Sequence, residues 1–375
     1  MSLQPQKHIL FIMQLPPPIH GVSVMNQLVR DSVLLNQSFQ CDYINLTTAR
    51  SIDDLGKSRL SKYRSSFSIV LKAIGFMRRK KYKAVYITIF PYGLAFLKDS
   101  LVVMIARLFG QKPILHLHVS GFKPQADKSI FHTWYYRFVF KNTEVICLSE
   151  LLTSDISGFY KGKIHILPNG INQVNFENSY ASRQSPVSIL YLSNLIREKG
   201  ILVLLDALQI LMQRKVPFNA RIVGAEGDIS YRFLKDYIAA RGLEKHIALI
   251  GPKYHEDKFD EFRKAGLFVF PSVCDTFGLV LLEAMQFGVP CISTPVGGIP
   301  DVLGDGSGLI INQVNAGALA DAMETLIMDP EKRNAISRKG FERFKTNYTT
   351  DIFEARLKHI LDNAFSATRE NSTNA

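Results

Sequence analysis

Cysteine is scarce in this chain: four among 375 residues, Cys41, Cys147, Cys274 and Cys291. They are scattered, with neither metal-ligand nor disulfide-framework spacing. Each sits in or beside an apolar run, so small buried thiols in a reducing cytosol are expected. A secretory leader is also missing from view. Met1–Gln6 is polar and runs straight into the strand-like His8–Leu15, with no charged region ahead of an apolar one. Nor is there a clean apolar run of the ~20 residues that a spanning helix needs. The most apolar stretch, Ala84–Gly110, is interrupted by Pro91, Lys98, Asp99 and Arg107. Low-complexity bias is absent. What remains is the composition of a soluble globular protein, 47 % hydrophobic, long enough for two domains with a core each.

Negative charge is lacking in one place above all. No Asp or Glu occurs between Asp54 and Asp99, while Lys57, Arg59, Lys62, Arg64, Lys72, Arg78 to Lys81, Lys83 and Lys98 do. The net charge of +12 belongs wholly to the first half: residues 1–180 hold 22 Lys/Arg against 10 Asp/Glu, and the remainder balances at 23 each. Arg59–Lys83 interleaves these cations with Leu60, Tyr63, Phe67, Leu71 and Phe76, which is consistent with a basic amphipathic helix on an anionic membrane surface. Nucleic acid is not the expected partner, because no helix-turn-helix, RNP-like or finger signature accompanies the charge. An ordinary solvated face remains the alternative.

Short strands rich in Ile, Val and Tyr alternate with amphipathic helices along the whole chain. His8–Leu15, Cys41–Leu46, Ala84–Phe90, Pro113–Val119, Glu144–Leu148 and Lys163–Leu167 read as strands in the first half. Ser188–Leu192, Ala220–Val223, Ile247–Ile250, Leu267–Phe270, Pro290–Ser293 and Gly308–Ile311 do so in the second. Helical runs include Val22–Leu35, Tyr63–Arg79, Gly200–Arg214 and Tyr231–Arg241. Near-continuous apolar strands joined by helices imply parallel sheets covered on both faces. Two doubly wound α/β domains are expected, residues 1–180 and 181–349, divided in the polar stretch Asn172–Pro186. A last helix, residues 350–365, would follow, with a disordered tail at 366–375. Ligands of such folds sit at the carboxyl ends of strands, so the loops there hold the candidate chemistry.

The most informative loop runs from Phe270-Pro-Ser through Asp275, Phe277-Gly278-Leu279 and Glu283 to Gly288-Val-Pro290. A strand ends at Pro271 and a helix begins near Phe277. Backbone N–H groups of Phe277, Gly278 and Leu279 at that start would form an anion site helped by the helix dipole. Glu283 lies one or two turns in, among apolar neighbours, where a carboxylate suits a pair of ribose hydroxyls. Asp275 could equally be a helix N-cap, and Glu283 a solvated helix residue. A second strand–loop–helix carries Ser193-Asn194-Leu-Ile-Arg197-Glu-Lys199-Gly200. A third, Pro16-Pro-Pro-Ile-His20-Gly21, stiffens the first strand–helix turn, and Gly21 permits close backbone approach. In Leu115-His116-Leu-His118, strand alternation puts both rings on one side, with His118 nearer the carboxyl end. No third ligand is spaced for zinc, so no metal site is expected.

The Pro-Ser, the acidic pair Asp275 and Glu283 eight apart, and the Phe-Gly-Leu between them resemble the family-4 retaining glycosyltransferases. The glycine-rich Thr294-Pro-Val-Gly297-Gly298 resembles the family's loop beside the donor. The family usually has Glu where Asp275 stands. Lys199 falls on its lysine, with Ser193-Asn194 in place of a usual Gly-Arg, and Arg197 as a candidate substitute. Leu167-Pro-Asn169-Gly170 and Val223-Gly224 match more loosely. The resemblance implies a GT-B fold, with two Rossmann-like domains facing across a cleft and the last helix packing back on the first. It implies that Gly21, Asn194, Arg197, Lys199, Gly224, Phe277, Gly278, Leu279 and Glu283 bind the donor, and that His118, Asp275 and Lys199 serve catalysis.

The function so implied is retaining transfer of a hexose-type sugar from a UDP- or GDP-sugar to a glycan or lipid-linked oligosaccharide. Cell-surface polysaccharide synthesis in a bacterium, of capsule or lipopolysaccharide, is the setting. The nucleotide sugar is a substrate, and no cofactor is expected. The expected location is cytoplasmic, on the inner face of the membrane through Arg59–Lys83. A non-catalytic nucleotide-sugar-binding subunit and a GT-B-fold nucleotide-sugar epimerase are the alternatives.

Overall fold

The computed structural model describes residues 7–47, 59–174 and 186–370. The chain divides into two compact units, Met1–Gly170 with Thr350–Ala375, and Ile171–Thr349. The division falls just ahead of the polar stretch expected to hold it, and residues 175–185 of that stretch lie outside the described residues. The chain enters and leaves the second unit side by side. Ile171 and Thr349 form a parallel bridge, and the Ile171 N–H donates to the Tyr348 carbonyl at 2.9 Å.

The first unit is built on β1 (His8–Met13), β2 (Gln40–Asn45), β3 (Ala84–Thr88), β4 (Pro113–Leu117), β5 (Glu144–Cys147) and β6 (Ile164–Ile166). All pair in parallel, in the order β2-β1-β3-β4-β5-β6. Every residue of β3, β4 and β5 is buried, which is why these strands read as unbroken apolar runs rather than alternating ones. Leu10, Ile12, Val85, Ile87, Leu115 and Val145 form one core with Ala73, Val103, Phe122 and Phe140 from the helices over that face.

The second unit holds β7 (Val187–Leu192), β8 (Phe218–Val223), β9 (Ile247–Gly251), β10 (Leu267–Phe270), β11 (Cys291–Ser293) and β12 (Leu309–Ile310). Its parallel order is β12-β11-β10-β7-β8-β9. Renumbered from β7, this is the Rossmann order 3-2-1-4-5-6, whose ligand crevice opens where the order reverses, here between β7 and β10.

Two helical expectations differ in extent. The run Val22–Leu35 is two helices, Gly21–Asp31 and Val33–Ser38, because Ser32 adopts an extended conformation and its hydroxyl caps the Leu35 N–H at 3.1 Å. The last helix runs Thr350–Glu370 and belongs to the first unit. It therefore takes up residues 366–370 of the expected tail, and residues 371–375 lie outside the described residues. Its Phe353, Leu357 and Leu361 are buried, and Lys7 pairs with Asp362 at 2.5 Å.

Candidate active site

At the switch point of the second unit two loops are locked together. The loop after β7 ends in a 3-10 turn, Arg197–Lys199, and then Gly200 at φ +80°. A Cβ on Gly200 would sit 1.9 Å from the Pro271 carbonyl oxygen, so only glycine lets the loop after β7 lie on the loop after β10. The Glu198 carbonyl accepts the Val273 N–H at 2.8 Å and the Ser272 hydroxyl at 3.1 Å, fastening the same seam.

That seam brings Lys199 to Asp275, 76 residues apart in sequence. Lys199 Nζ reaches Asp275 Oδ2 at 2.8 Å and the Cys274 carbonyl at 3.1 Å, and lies 5.8 Å above the Phe270 ring. The other oxygen, Asp275 Oδ1, accepts the N–H groups of Phe277 at 3.0 Å and Gly278 at 2.6 Å. Two of the three amides expected to be free at this helix start are therefore engaged by the chain's own carboxylate. The helix itself spans Leu279–Gln286 and is capped by Gly278. An anion does sit on these amides and beside a lysine, as the physics of a helix start favours, and the anion is Asp275. Gly297 abuts the same segment: a Cβ there would lie 2.2 Å from the Asp275 carbonyl, and Gly298 N–H donates to Thr276 O at 2.8 Å.

Glu283, further along the helix, is partly buried and paired with Lys258 Nζ at 2.7 Å. Lys258 comes from the helix His255–Lys264 and has no marker in the sequence near the acidic pair. The remaining donor candidates are more dispersed. Asn194 is exposed. Arg197 has its guanidinium over the Phe233 ring at 5.5 Å and its backbone N–H on Asp228 Oδ1 at 2.8 Å. Gly224 is needed for packing: a Cβ would lie 1.8 Å from the Ser193 carbonyl oxygen. Leu279 begins the helix.

The first unit has its own polar edge at the carboxyl ends of its strands. His118 follows β4, is 7 % exposed, and its ring lies 3.9 Å from that of His116. Burial, reinforced by the nearby His20, pushes the His118 imidazole down to about 3. Burial, then His118 itself, drives His116 well below the ordinary histidine value. Both rings are neutral at pH 7. His116 Nδ1 is hydrogen-bonded to the Tyr86 hydroxyl, a partner that sequence spacing did not disclose. The Nε2 atoms of both rings are buried without a hydrogen-bond partner, as are Thr88 Oγ1, Asn26 Oδ1 and Asn169 Oδ1.

Gly21 opens the helix after β1 and is exposed. The amide next available there is capped internally: His20 Nδ1 accepts the Ser23 N–H at 3.3 Å, while Ser23 Oγ accepts the His20 N–H at 2.9 Å. His20 is thus a capping-box residue. A second unannounced carboxylate, Asp155, accepts the N–H groups of Gly121, Phe122 and Lys123 at 2.8–2.9 Å and fixes the loop that follows His118. Among the described residues no group of three or more His, Cys, Asp or Glu is placed to hold a metal ion.

Residues 173–343 match the family model described as "Glycosyl transferases group 1". An uncharacterized glycosyltransferase of Methanocaldococcus jannaschii is 26 % identical over 57 % of this chain and 58 % of its own length. The capsular polysaccharide biosynthesis glycosyltransferase CapM of Staphylococcus aureus is 25 % identical over 70 % of this chain and 74 % of its own. The chain spans 58 %, 55 % and 44 % of three of the curated relatives it matches, about half their length. The crystal structure of HepE from Anabaena in complex with UDP shares the fold, with a TM-score of 0.70, 17 % identity, and 95 % of this chain and 100 % of that one covered. Residues 173–343, within the second unit, thus match the glycosyl transferases group 1 family model, and the fold class is α/β of the GT-B type, with two doubly wound parallel sheets.

Proposed function

We propose that this chain is a retaining glycosyltransferase that moves a hexose-type sugar from a UDP- or GDP-sugar to a glycan or lipid-linked oligosaccharide in cell-surface polysaccharide synthesis. The observation that carries the proposal is the pairing of Lys199 with Asp275 at the switch point, over the N–H groups of Phe277 and Gly278. A lysine and two helix-start amides already gathered about one anion are the parts that a leaving diphosphate requires. HepE has been crystallised with UDP and with UDP-glucose, and CapM is named for capsular polysaccharide biosynthesis.

In the proposed reaction the donor diphosphate replaces the Asp275 carboxylate on Lys199 and on the amides of Phe277, Gly278 and Leu279. Gly21, Asn194, Arg197 and Gly224 complete the donor contacts, and Glu283 takes the ribose hydroxyls. Asp275, released, holds the sugar, and His118 is the first unit's proposed catalytic residue. A neutral His118 can donate or accept one hydrogen bond without adding charge, which suits a hydroxyl. The anomeric C–O bond to phosphate breaks, and the acceptor oxygen bonds to the same carbon on the same face. The acceptor's proton passes to the leaving phosphate oxygen. Lys199 and the amides supply the positive charge, so the proposal includes no metal. Acceptor binding falls to the first unit, and the basic Arg59–Lys83 segment would hold the protein on the inner membrane face.

Incubation with a panel of nucleotide sugars and lipid-linked acceptors tests this. Released nucleoside diphosphate together with an extended acceptor is the expected result. Sugar interconversion without acceptor would replace the proposal with an epimerase, and binding without turnover would replace it with a donor-binding subunit.

A further inference from the structure

Three helices cover one face of the first unit's sheet: Arg59–Arg79, Gly93–Leu108 and Ile130–Phe140. They lie side by side. Phe96 stacks on Tyr136, Ser100 Oγ meets Tyr135 Oη at 2.6 Å, and the Arg107 guanidinium caps the Phe138 carbonyl. Each helix buries one side on the sheet, as an amphipathic helix should. The opposite sides carry large apolar groups. On the middle helix Leu94, Leu97, Leu101 and Leu108 recur at spacings of three, four and seven, and all four are exposed, Leu108 at 85 %. On the third, Ile130, Phe131, Trp134 and Phe138 are exposed, Ile130 and Phe131 at more than four-fifths, and Trp134 stacks on Phe138. Phe67 and Leu71 extend the patch onto the first helix.

The exposed charge on these helices has one sign. The three helices contain one carboxylate, Asp99, which is fully buried beside Lys98 at 3.2 Å. Arg64, Lys72, Arg78 and Arg79 are exposed on the first helix, Lys81 and Lys83 follow it, and Arg137 and Lys141 are exposed at the third. A contiguous exposed apolar patch marks an interaction surface. We infer that this three-helix face docks on an anionic lipid bilayer, with the leucine and aromatic side chains entering the interface and the cations on the headgroups. A second copy of the chain fits less well, since pairing two such faces would oppose like charges. Nucleic acid would leave the leucine stripe exposed. The inference goes beyond Arg59–Lys83, placing the apolar contact on the two later helices. It does not rest on glycosyl transfer: a chain that binds vesicles and moves no sugar would still bear it out.

Trp134 is the chain's single tryptophan, 64 % exposed, so its fluorescence reports on this face alone. The full chain is mixed with vesicles of phosphatidylcholine, or of phosphatidylcholine with phosphatidylglycerol, and followed by flotation and Trp134 emission. Binding to the anionic vesicles, a blue shift, and quenching by brominated acyl chains are expected. Replacing Arg78, Arg79 and Lys81 by glutamine should lower partitioning about fivefold per charge removed. Leu97→Glu with Leu101→Glu should lower it at least about tenfold with the thermal transition unchanged. The inference is overturned by unchanged Trp134 emission on anionic vesicles, or by undiminished binding of the leucine variant. It is overturned equally by a blue shift that appears without lipid as a dimer forms, or with single-stranded nucleic acid and not with vesicles.

Discussion

The two sheets handle polar groups at their carboxyl ends in opposite ways. In the second unit the charges close on one another: Lys199 on Asp275, Asp275 on two amides, Lys258 on Glu283. In the first unit the two buried histidines at the end of β4 are neutral, and each leaves a ring nitrogen over. Every buried side-chain polar atom without a hydrogen-bond partner among the described residues lies there, His116 and His118 foremost. Buried polar atoms without partners cost stability, so the adjacent pair on His116 and His118 calls for a reason. A charged ligand suits a site where one anion exchanges for another. A ligand made of hydroxyls suits neutral donors and acceptors. In the proposed reaction this contrast would give the diphosphate to the second unit and the sugar to the first, and it can be broken at several points.

The largest effect is expected at Lys199. Lys199→Ala should lower the transfer rate by about 10²–10³-fold, the loss typical of a donor to developing negative charge, read as nucleoside diphosphate release with folding checked by circular dichroism. A near-normal rate would move the diphosphate elsewhere. Next comes Gly200→Ala, which sets a Cβ against the Pro271 carbonyl at a positive φ. A loss of about 2–4 kcal/mol, seen as a melting transition lower by roughly 5–10 °C, should fall on the second unit. An equal fall in the first unit would show that the two do not melt separately.

The histidines offer a pH test of the first unit. His118 is held at about 3, against an ordinary value near 6.5, and His116 is lowered too. Between those values the unfolded chain takes up protons that the folded chain refuses, so stability rises with pH across the window and levels off above it. Calorimetry should find the first unit losing stability as pH falls below about 6.5, and His116→Gln with His118→Gln should flatten that slope. An unchanged slope would mean that neither ring is held neutral. The smallest effect is expected at Asp275. If its carboxylate occupies the diphosphate's place, Asp275→Ala should tighten UDP binding by a few fold, about 1 kcal/mol, even as transfer falls. Weaker UDP binding by titration calorimetry would identify Asp275 as a donor contact instead of a stand-in.

Parts of this were legible beforehand. Strands such as Ala84–Thr88 announced themselves because both faces of a parallel strand are buried and the apolar run is continuous. Asp275, Glu283 and Lys199 stood out because they lie in loops at strand ends that resemble the motifs of the family-4 retaining glycosyltransferases. The partners of those residues did not stand out. Lys258 is 25 residues from Glu283 and Tyr86 is 30 from His116, separations that no local pattern encodes. The apolar helix faces were also hidden: Gly93–Leu108 is so rich in leucine that its pattern does not say which leucines the sheet will cover.

The sequence by itself determined the strand–helix alternation, the parallel sheets, the candidate anion-binding loop and the imbalance of charge between the halves. These follow from local composition and period, which act over a few residues. The tertiary structure alone decided that Asp275 caps its own helix and meets Lys199, that Arg197 lies on Phe233, and that three helices turn apolar sides outward. The first depends on strand order, since the placing of β7 beside β10 brings their loops together; the second on β8 lying beside β7; the third on a sheet that covers only one side of each helix.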